Sequence, residues 1–430
     1  MTTATAEPLN WSPAQKIAFR FFALLFVLYI FFNPNGVLPY TDTLSEYYLV
    51  PFHWLVPWIG KHVLHLPKPI TVFTNGSGDT TYDYVTLLLL AFFAALGAAI
   101  WSATGRNTKN YNKLFYWLTV VIRYYAAITM VSYGAFKVIK LQFPSPSLGR
   151  LQEPLGDMTP MGLAWTYLGY STGFNYFAGI AELAAGILLF FRKTTTLGAI
   201  LLLVVAGNIM AINYCFDVPV KLLATTLVAM SIFILARDTQ RLINFFFRNQ
   251  DARPSNLTPH RFNARWKNIT LTVAKYVLII YTIAGTFFGA IQSAAQYGEG
   301  AKKPPLYGIY KVESFVLNKD TLPPLTTDTT RWAKMTVSYP DGAQIKLMND
   351  TTKYYAFKPD TKKHIITAYT YADTLHKYKL TYTLQKPDVL LLSGKWKKDS
   401  VSIKLRKLDP NKFRLTSRGF HWVNEYPLNR

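Results

Sequence analysis

The stretch FAGIAELAAGILLFFRKTTTLGAILLLVVAGNIMAINYC, residues 177–215, decides the fold. Two apolar runs, each near the roughly 20 residues needed to cross a bilayer, flank the basic turn at Arg192 and Lys193. Glu182 interrupts the first run, and Asn208 and Asn213 interrupt the second. The pattern reads as a transmembrane helical hairpin with its turn on the Lys/Arg-rich inner side. Working outward, comparable apolar stretches lie near 15–32, 82–103, 114–139, 173–191, 195–215, 221–236 and 270–291, seven in all. The sixth is short, and FDVPVK before it reads as a tight outer turn. The first is followed by NPNG rather than a small-residue cleavage site, so it reads as a retained span.

Composition agrees with a membrane protein that carries a soluble part. The 430 residues are 50% apolar and 16% charged, against about 25% charged in ordinary soluble chains. Mean hydropathy is only +0.13, low for spans alone. Lys+Arg number 46 and Asp+Glu 23, a net charge of +23. Beside such long apolar runs, this surplus suits anionic lipid better than nucleic acid. The single cysteine, Cys215, excludes an internal disulfide, a CxxC redox pair and a cysteine zinc site. No GxGxxG, P-loop, HExxH or nucleophile elbow occurs, so nucleotide, metalloprotease and hydrolase chemistry have no motif to rest on.

Orientation follows from the short connections. With the N-terminus inside, Lys16, Arg20, Arg106, Lys109, Lys113, Arg192 and Lys193 are cytoplasmic. So are Arg237, Arg241, Arg248, Arg253, Arg261, Arg265 and Lys267 in the connection before the last span. Outer loops hold few, among them Lys61, Lys68, Lys140 and Arg150, as the positive-inside rule expects. Seven crossings then put everything after about residue 296 outside. In a bacterium this means an inner-membrane protein with a periplasmic tail. Residues 45–66 carry Pro51 and Pro57 and read as an interfacial helix on the outer leaflet, with Trp54 and Trp58 as anchors. His53, His62 and His65 lie there too. Two imidazoles on one helix face, without a third ligand, make a poor metal or haem site. Residues 140–171 read as a long outer loop.

The tail has a different period. GIYKVESFVL, RWAKMTVSY, AQIKLM, KYYAFK, HIITAYTY, YKLTYTL, DVLLLSGKW, SVSIKLRKL and KFRLTS alternate between turn signals such as PDG and KPD. Nine short strands without a helix predict an antiparallel barrel or sandwich, similar in size and opening sequence to lipocalin-like barrels. Its interior could hold a small apolar ligand or be filled by side chains. Residues 300–430 contain 24 Lys+Arg and 11 Asp+Glu, so the tail carries over half the excess charge. Anionic headgroups could hold such a face to the membrane. The expected organisation is 1–113 (spans with the outer amphipathic segment), 114–240 (a four-helix core), 241–297 (basic connection and seventh span) and 298–430 (β domain).

Ionisable groups at bilayer depth are functional candidates. Arg123 lies about 13 Å from the inner end of the third span, and Glu182 a similar depth from the outer end of the fourth. Opposite charges on consecutive antiparallel helices suggest a buried Arg123–Glu182 pair. Lys137 shares a face with Arg123, close to four turns away. Asn208, Asn213, Asp217 and Lys221 continue a polar set outward, and the 140–171 loop could cover it with Arg150, Glu153, Asp157 and Trp165. Such a set fits a helix staple, a ligand cleft or a proton path.

YGAFKVI around Lys137, FAGIAELAAGILLFFRKTTTLGAILL around Glu182, and NIMAINYCFDVPVKL resemble the DoxX-like membrane protein family. With the terminal RGFHWVNEYPLNR, the whole chain resembles the longer DoxX-like proteins of Bacteroidetes. The resemblance covers about residues 114–240. It implies a four-helix membrane unit, linked in some members to oxidoreductases acting on sulfur compounds or quinones. By position, Lys137 and Glu182 match the family's charged pair, while Arg123 and the tail have no assigned counterpart. The expected function is therefore a membrane subunit of a redox system. Lys137 and Glu182 would be its reacting groups, and Arg123, Asn208, Asn213, Asp217, Lys221 and Trp165 its ligand-binding residues. A quinone or similar small molecule is the expected ligand, with electrons arriving from a bound cofactor or a partner protein. The alternative is a non-enzymatic envelope carrier, assembly factor or anchor whose β domain binds a partner or lipid. A transporter is disfavoured, because no inverted repeat is visible.

Overall fold

A computed structural model describes residues 10–35, 41–72, 78–251, 262–386, 388–426 and 428. Arg253 and Arg261, counted above on the inner connection, lie outside the described residues, as do Gly36 of NPNG and Pro427, Asn429 and Arg430 of the terminal motif. The chain divides into two compact units: residues 1–143 with 160–294, and residues 144–159 with 295–430.

The first unit is helical. Its elements are α1 (Pro13–Phe32), α2 (Thr41–Tyr48), α3 (Val50–His62), α4 (Thr81–Thr104), α5 (Asn112–Val138), α6 (Pro160–Tyr170), α7 (Thr172–Phe190), α8 (Thr195–Cys215), α9 (Lys221–Leu235), α10 (Thr239–Phe246) and α11 (Arg265–Tyr297). Seven helices among the described residues are long and apolar enough to cross a membrane. They correspond to the seven predicted stretches, the sixth gaining length because α9 runs on through a short turn into α10. Helix starts follow local chemistry. Ser12 caps α1 reciprocally with Gln15, with Pro13 in the first turn, and Thr80 does the same for α4 with Asp83. Arg20, counted above as a cytoplasmic charge, is buried. It donates to the Tyr111 hydroxyl, Ser102 Oγ and the Gly105 carbonyl, so it ties α1 to the α4–α5 turn.

Around this knot the bundle packs α1 on α4, α5 on α7, α7 on α8, and α9 on both α8 and α5. The core is formed by Phe26, Ile122, Tyr125, Met130, Leu189, Phe190, Leu202 and Met230 among others. α3 continues through Pro57 and seats Val56 against Val85 and Leu89 of α4, leaving Trp54 and Trp58 exposed. The expected 140–171 loop contains α6. Pro160 at its first position fits a helix start, although in the sequence proline had suggested loop.

The second unit is a closed antiparallel barrel. Its strands are β1 (Gly308–Leu317), β2 (Asp320–Thr321), β3 (Trp332–Tyr339), β4 (Gly342–Leu347), β5 (Thr352–Asp360), β6 (Ile365–Thr370), β7 (Asp373–Lys386), β8 (Val389–Trp396) and β9 (Asp399–Leu408). Each long strand pairs with its sequence neighbours, and β9 pairs back onto β1, with Phe315 opposite Ile403. Eight strands close the wall, while the two-residue β2 is a hairpin appended to β1. KFRLTS, predicted as a ninth strand, is instead a 3-10 turn followed by the short helix α12 (Arg414–Ser417). With β9 already hydrogen-bonded to β1, no free edge remains for it to join, and Asp409 caps the turn that starts at Pro410. The interior is occupied by the barrel's own side chains. Trp332, Phe315 and Phe357 are fully buried, and the Trp332 and Trp396 rings meet edge-on at 4.9 Å. Residues 144–159 belong to this unit. Gln152 donates to Thr336 Oγ1 on β3 at 2.7 Å, and Glu299 accepts from the Ser145 amide.

Candidate functional site

The site begins with three glycines. A Cβ on Gly134 of α5 would sit 2.8 Å from the Gly179 carbonyl and 2.9 Å from the Leu183 amide of α7. A Cβ on Gly179 would meet the Gly134 carbonyl at 2.8 Å, and one on Gly186 the Ala127 carbonyl at 2.7 Å. The two backbones therefore touch, as small residues permit between membrane helices. This contact sets the register. Val138 lies against Gly179 and Val131 against Gly186, so Glu182 is level with the last turn of α5.

In that register Lys137 Nζ donates to Glu182 Oε1 at 2.5 Å, with the side chains 6% and 1% exposed. The ammonium also stands 5.8 Å over the Tyr133 ring and 5.6 Å over the Phe143 ring. Phe143 in turn meets Trp165 of α6 edge-on at 5.0 Å. Glu182 Oε2 is buried with no hydrogen-bond partner among the described residues, as is Asn175 Oδ1 two turns earlier on α7. The salt bridge uses one of the three ammonium donors and one of the two carboxylate oxygens. The arrangement can therefore donate and accept one further hydrogen bond inside an aromatic enclosure.

The expected Arg123–Glu182 pair is not formed. Arg123 lies eleven residues before Gly134, about 16 Å along α5, and the register carries it past the end of α7. There Arg123 Nη1 donates to Thr195 Oγ1 at 2.8 Å, and its guanidinium stands over the Tyr124 ring. Measuring depth from opposite ends of the two helices could not supply this register, which the glycine contacts fix.

The remaining candidates are distributed more widely. Asn208 lies on an exposed part of α8. Asn213 is buried and donates to the Val220 carbonyl at 2.8 Å, closing the α8–α9 turn. Lys221 pairs with Asp217 across the same turn at 2.8 Å. Asp79, which the sequence did not single out, accepts from the Lys221 and Leu222 amides at the start of α9. Burial pushes its carboxyl above the usual range. Arg150 and Glu153 pair with each other at 2.5 Å and, with the exposed Asp157, belong to the β-barrel unit. Of the four residues named from the proposed covering loop, Trp165 alone joins the Lys137–Glu182 cluster, through Phe143 of the same stretch. Tyr133 and Phe143 escaped sequence reasoning. Tyr133 sits four residues before Lys137, a spacing that could have flagged it as a neighbour on one helix face.

Comparison with known proteins singles out the same helices. The DoxX family model matches residues 118–214, from within α5 to the last turn of α8. The uncharacterized protein YwoB of Bacillus subtilis (strain 168) is 32% identical over 131 residues, which is 30% of this chain and 82% of that relative. No solved structure matches the chain. The matched segment carries the glycine-packed helix pair and its buried lysine and glutamate, and the chain is a member of the DoxX family.

Proposed function

We propose that the Lys137–Glu182 pair binds a small molecule with a carbonyl or hydroxyl headgroup, of the quinone class, within a multi-pass inner-membrane protein serving a redox system. The observation that carries this reading is the buried, unpartnered Glu182 Oε2 beside the Lys137 ammonium. An unsatisfied buried carboxylate oxygen is costly, and a ligand hydroxyl would relieve it. A quinone carbonyl would take a free Lys137 donor, while the quinol hydroxyl would donate to Oε2. Glu182 is thereby suited to exchange the proton that accompanies quinone reduction, with electrons supplied by a partner protein. The Phe143–Trp165 contact would close the site, and movement of α6 would open it.

For topology, we propose that the N-terminus is cytoplasmic and the β-barrel periplasmic. The Lys/Arg bias supports this. So does the folding of residues 144–159, which follow the third span, with residues after the seventh. Four spans, an even number of crossings, separate the two segments and return the chain to the same side. The basic barrel favours a second reading, a non-enzymatic envelope anchor or assembly protein.

Titration of the detergent-purified chain with a short-chain quinone, followed by tryptophan quenching, tests the first reading. Saturable quenching should weaken at least about tenfold in Glu182→Gln, the loss of roughly one hydrogen bond to a charged group. Equal affinity in both proteins would reject the site.

A further inference from the structure

The barrel unit contains a cleft that the Lys137–Glu182 pair does not explain. It has a volume of about 670 Å³ and lies where residues 146–151, the chain entering β1, and the chain leaving β9 converge. That size is within the usual range for small-ligand sites. Its described lining holds two lysines, Lys303 and Lys407, and no carboxylate. Lys303 Nζ stands 4.9 Å over the Tyr307 ring. The Lys407 stem lies across Gly308, whose φ is +154°, and a Cβ there would meet Lys407 Cε at 2.6 Å. Gly308 thus leaves room for the lysine to cross its backbone. Neither ammonium belongs to an ion pair among the described residues. Asn411 and Thr416 add polar groups, while Leu148 and Leu384 supply apolar wall.

We propose that this cleft binds the headgroup of an anionic phospholipid, with Lys303 and Lys407 taking the phosphate. Charge complementarity requires an anion, and three features choose lipid as its source. First, Lys303 is six residues beyond Tyr297, the end of α11, at most about 20 Å of extended chain from a membrane helix. Second, the wall at residues 146–151 is likewise chain that has just left a spanning helix, α5. Third, the wall at Asn411 and Thr416 leads into a tail whose Phe420, Trp422 and Tyr426 are 78%, 91% and 87% exposed. Aromatic rings bared in that way suit the membrane–water interface. The inference does not depend on what Lys137 and Glu182 bind.

Native mass spectrometry of the delipidated full chain, titrated with phosphatidylglycerol or phosphatidylcholine, tests it. Both lysines are exposed, so K303Q/K407Q keeps the fold. Lipids held around the spans are common to all variants and cancel in the comparison. Wild type should bind phosphatidylglycerol in preference to phosphatidylcholine. K303Q/K407Q should bind phosphatidylglycerol roughly 30-fold more weakly, as two surface lysines warrant. K362Q/K363Q, the same charge change on the exposed β5–β6 turn, should bind as wild type does. An equal loss in K362Q/K363Q would overturn the site in favour of bulk charge. Equal binding of phosphatidylcholine would overturn headgroup recognition. Displacement of the lipid by equimolar inorganic phosphate would overturn lipid as the occupant and leave free phosphate.

Discussion

Removing Lys137 or Glu182 alone strands the opposite charge in the buried interior of the bundle, whereas removing both together does not. Breaking a buried ion pair from one side costs about 3–5 kcal/mol, while replacing both partners with apolar side chains of similar volume is often neutral. Lys137→Ala and Glu182→Ala should therefore each lower the unfolding midpoint in detergent, and Lys137→Met/Glu182→Leu should recover most of the loss. A double variant damaged by the sum of the two singles would mean that the groups do not interact. The two residues were legible in the sequence as ionisable groups inside apolar runs, and the family resemblance matched them as a pair. Their enclosure was not legible. Phe143 and Trp165 come from segments that read as outer loop, and only the path of the chain into α6 brings their rings together.

At the scale of elements, the decisive contact is backbone on backbone between α5 and α7. Gly179→Val would push branched carbon against the Gly134 carbonyl and the Val138 amide, neither of which can turn aside as a side chain could. Such overpacking should cost about 1–3 kcal/mol, and it should weaken ligand retention as well, because the register that delivers Lys137 to Glu182 would shift. Unchanged stability in Gly179→Val, measured by thermal unfolding, would contradict the close crossing. Glycine in an apolar run shows that close approach is permitted but does not name the partner, which is why the sequence pointed to Arg123 where the structure has Lys137. The strands behaved differently. Alternation marked β1, β3 to β6, β8 and β9 almost to their ends, because one face of each is buried against the barrel interior, but it found only residues 378–384 of β7, whose first five residues are exposed. KFRLTS has the same alternation, yet the closure of β9 on β1 leaves it without a partner strand. Closure is a property of the whole sheet and is invisible in six residues.

β1 and β9 are also joined by charge. Arg406 donates to Glu313, and Lys404 lies 3.2 Å from the same carboxylate, holding it below the ordinary glutamate range. A depressed carboxylate contributes stability that is present above its unfolded pKa and lost as pH falls through its folded one. The barrel's melting temperature should therefore fall on acidification below the ordinary glutamate range, and Glu313→Gln should flatten that limb. An acid limb of the same slope in Glu313→Gln would assign it to other carboxylates.

For the whole molecule, an odd number of crossings makes a prediction that the native cysteine can report. Cys215 is exposed at the end of α8, the end opposite the Arg192–Lys193 turn. A membrane-impermeant maleimide should label it in intact spheroplasts without permeabilisation. Labelling only after permeabilisation would invert the topology and put the barrel in the cytoplasm. What the proposed function adds to a membrane anchor is the unsatisfied Glu182 oxygen within the helical unit and the ligand proposed for it. The most direct measurement is mass spectrometry of small organic molecules co-purifying with wild type and with the folded Lys137→Met/Glu182→Leu variant. A quinone-class molecule retained stoichiometrically by wild type and absent from the variant is the predicted result, and an identical complement in both would contradict it.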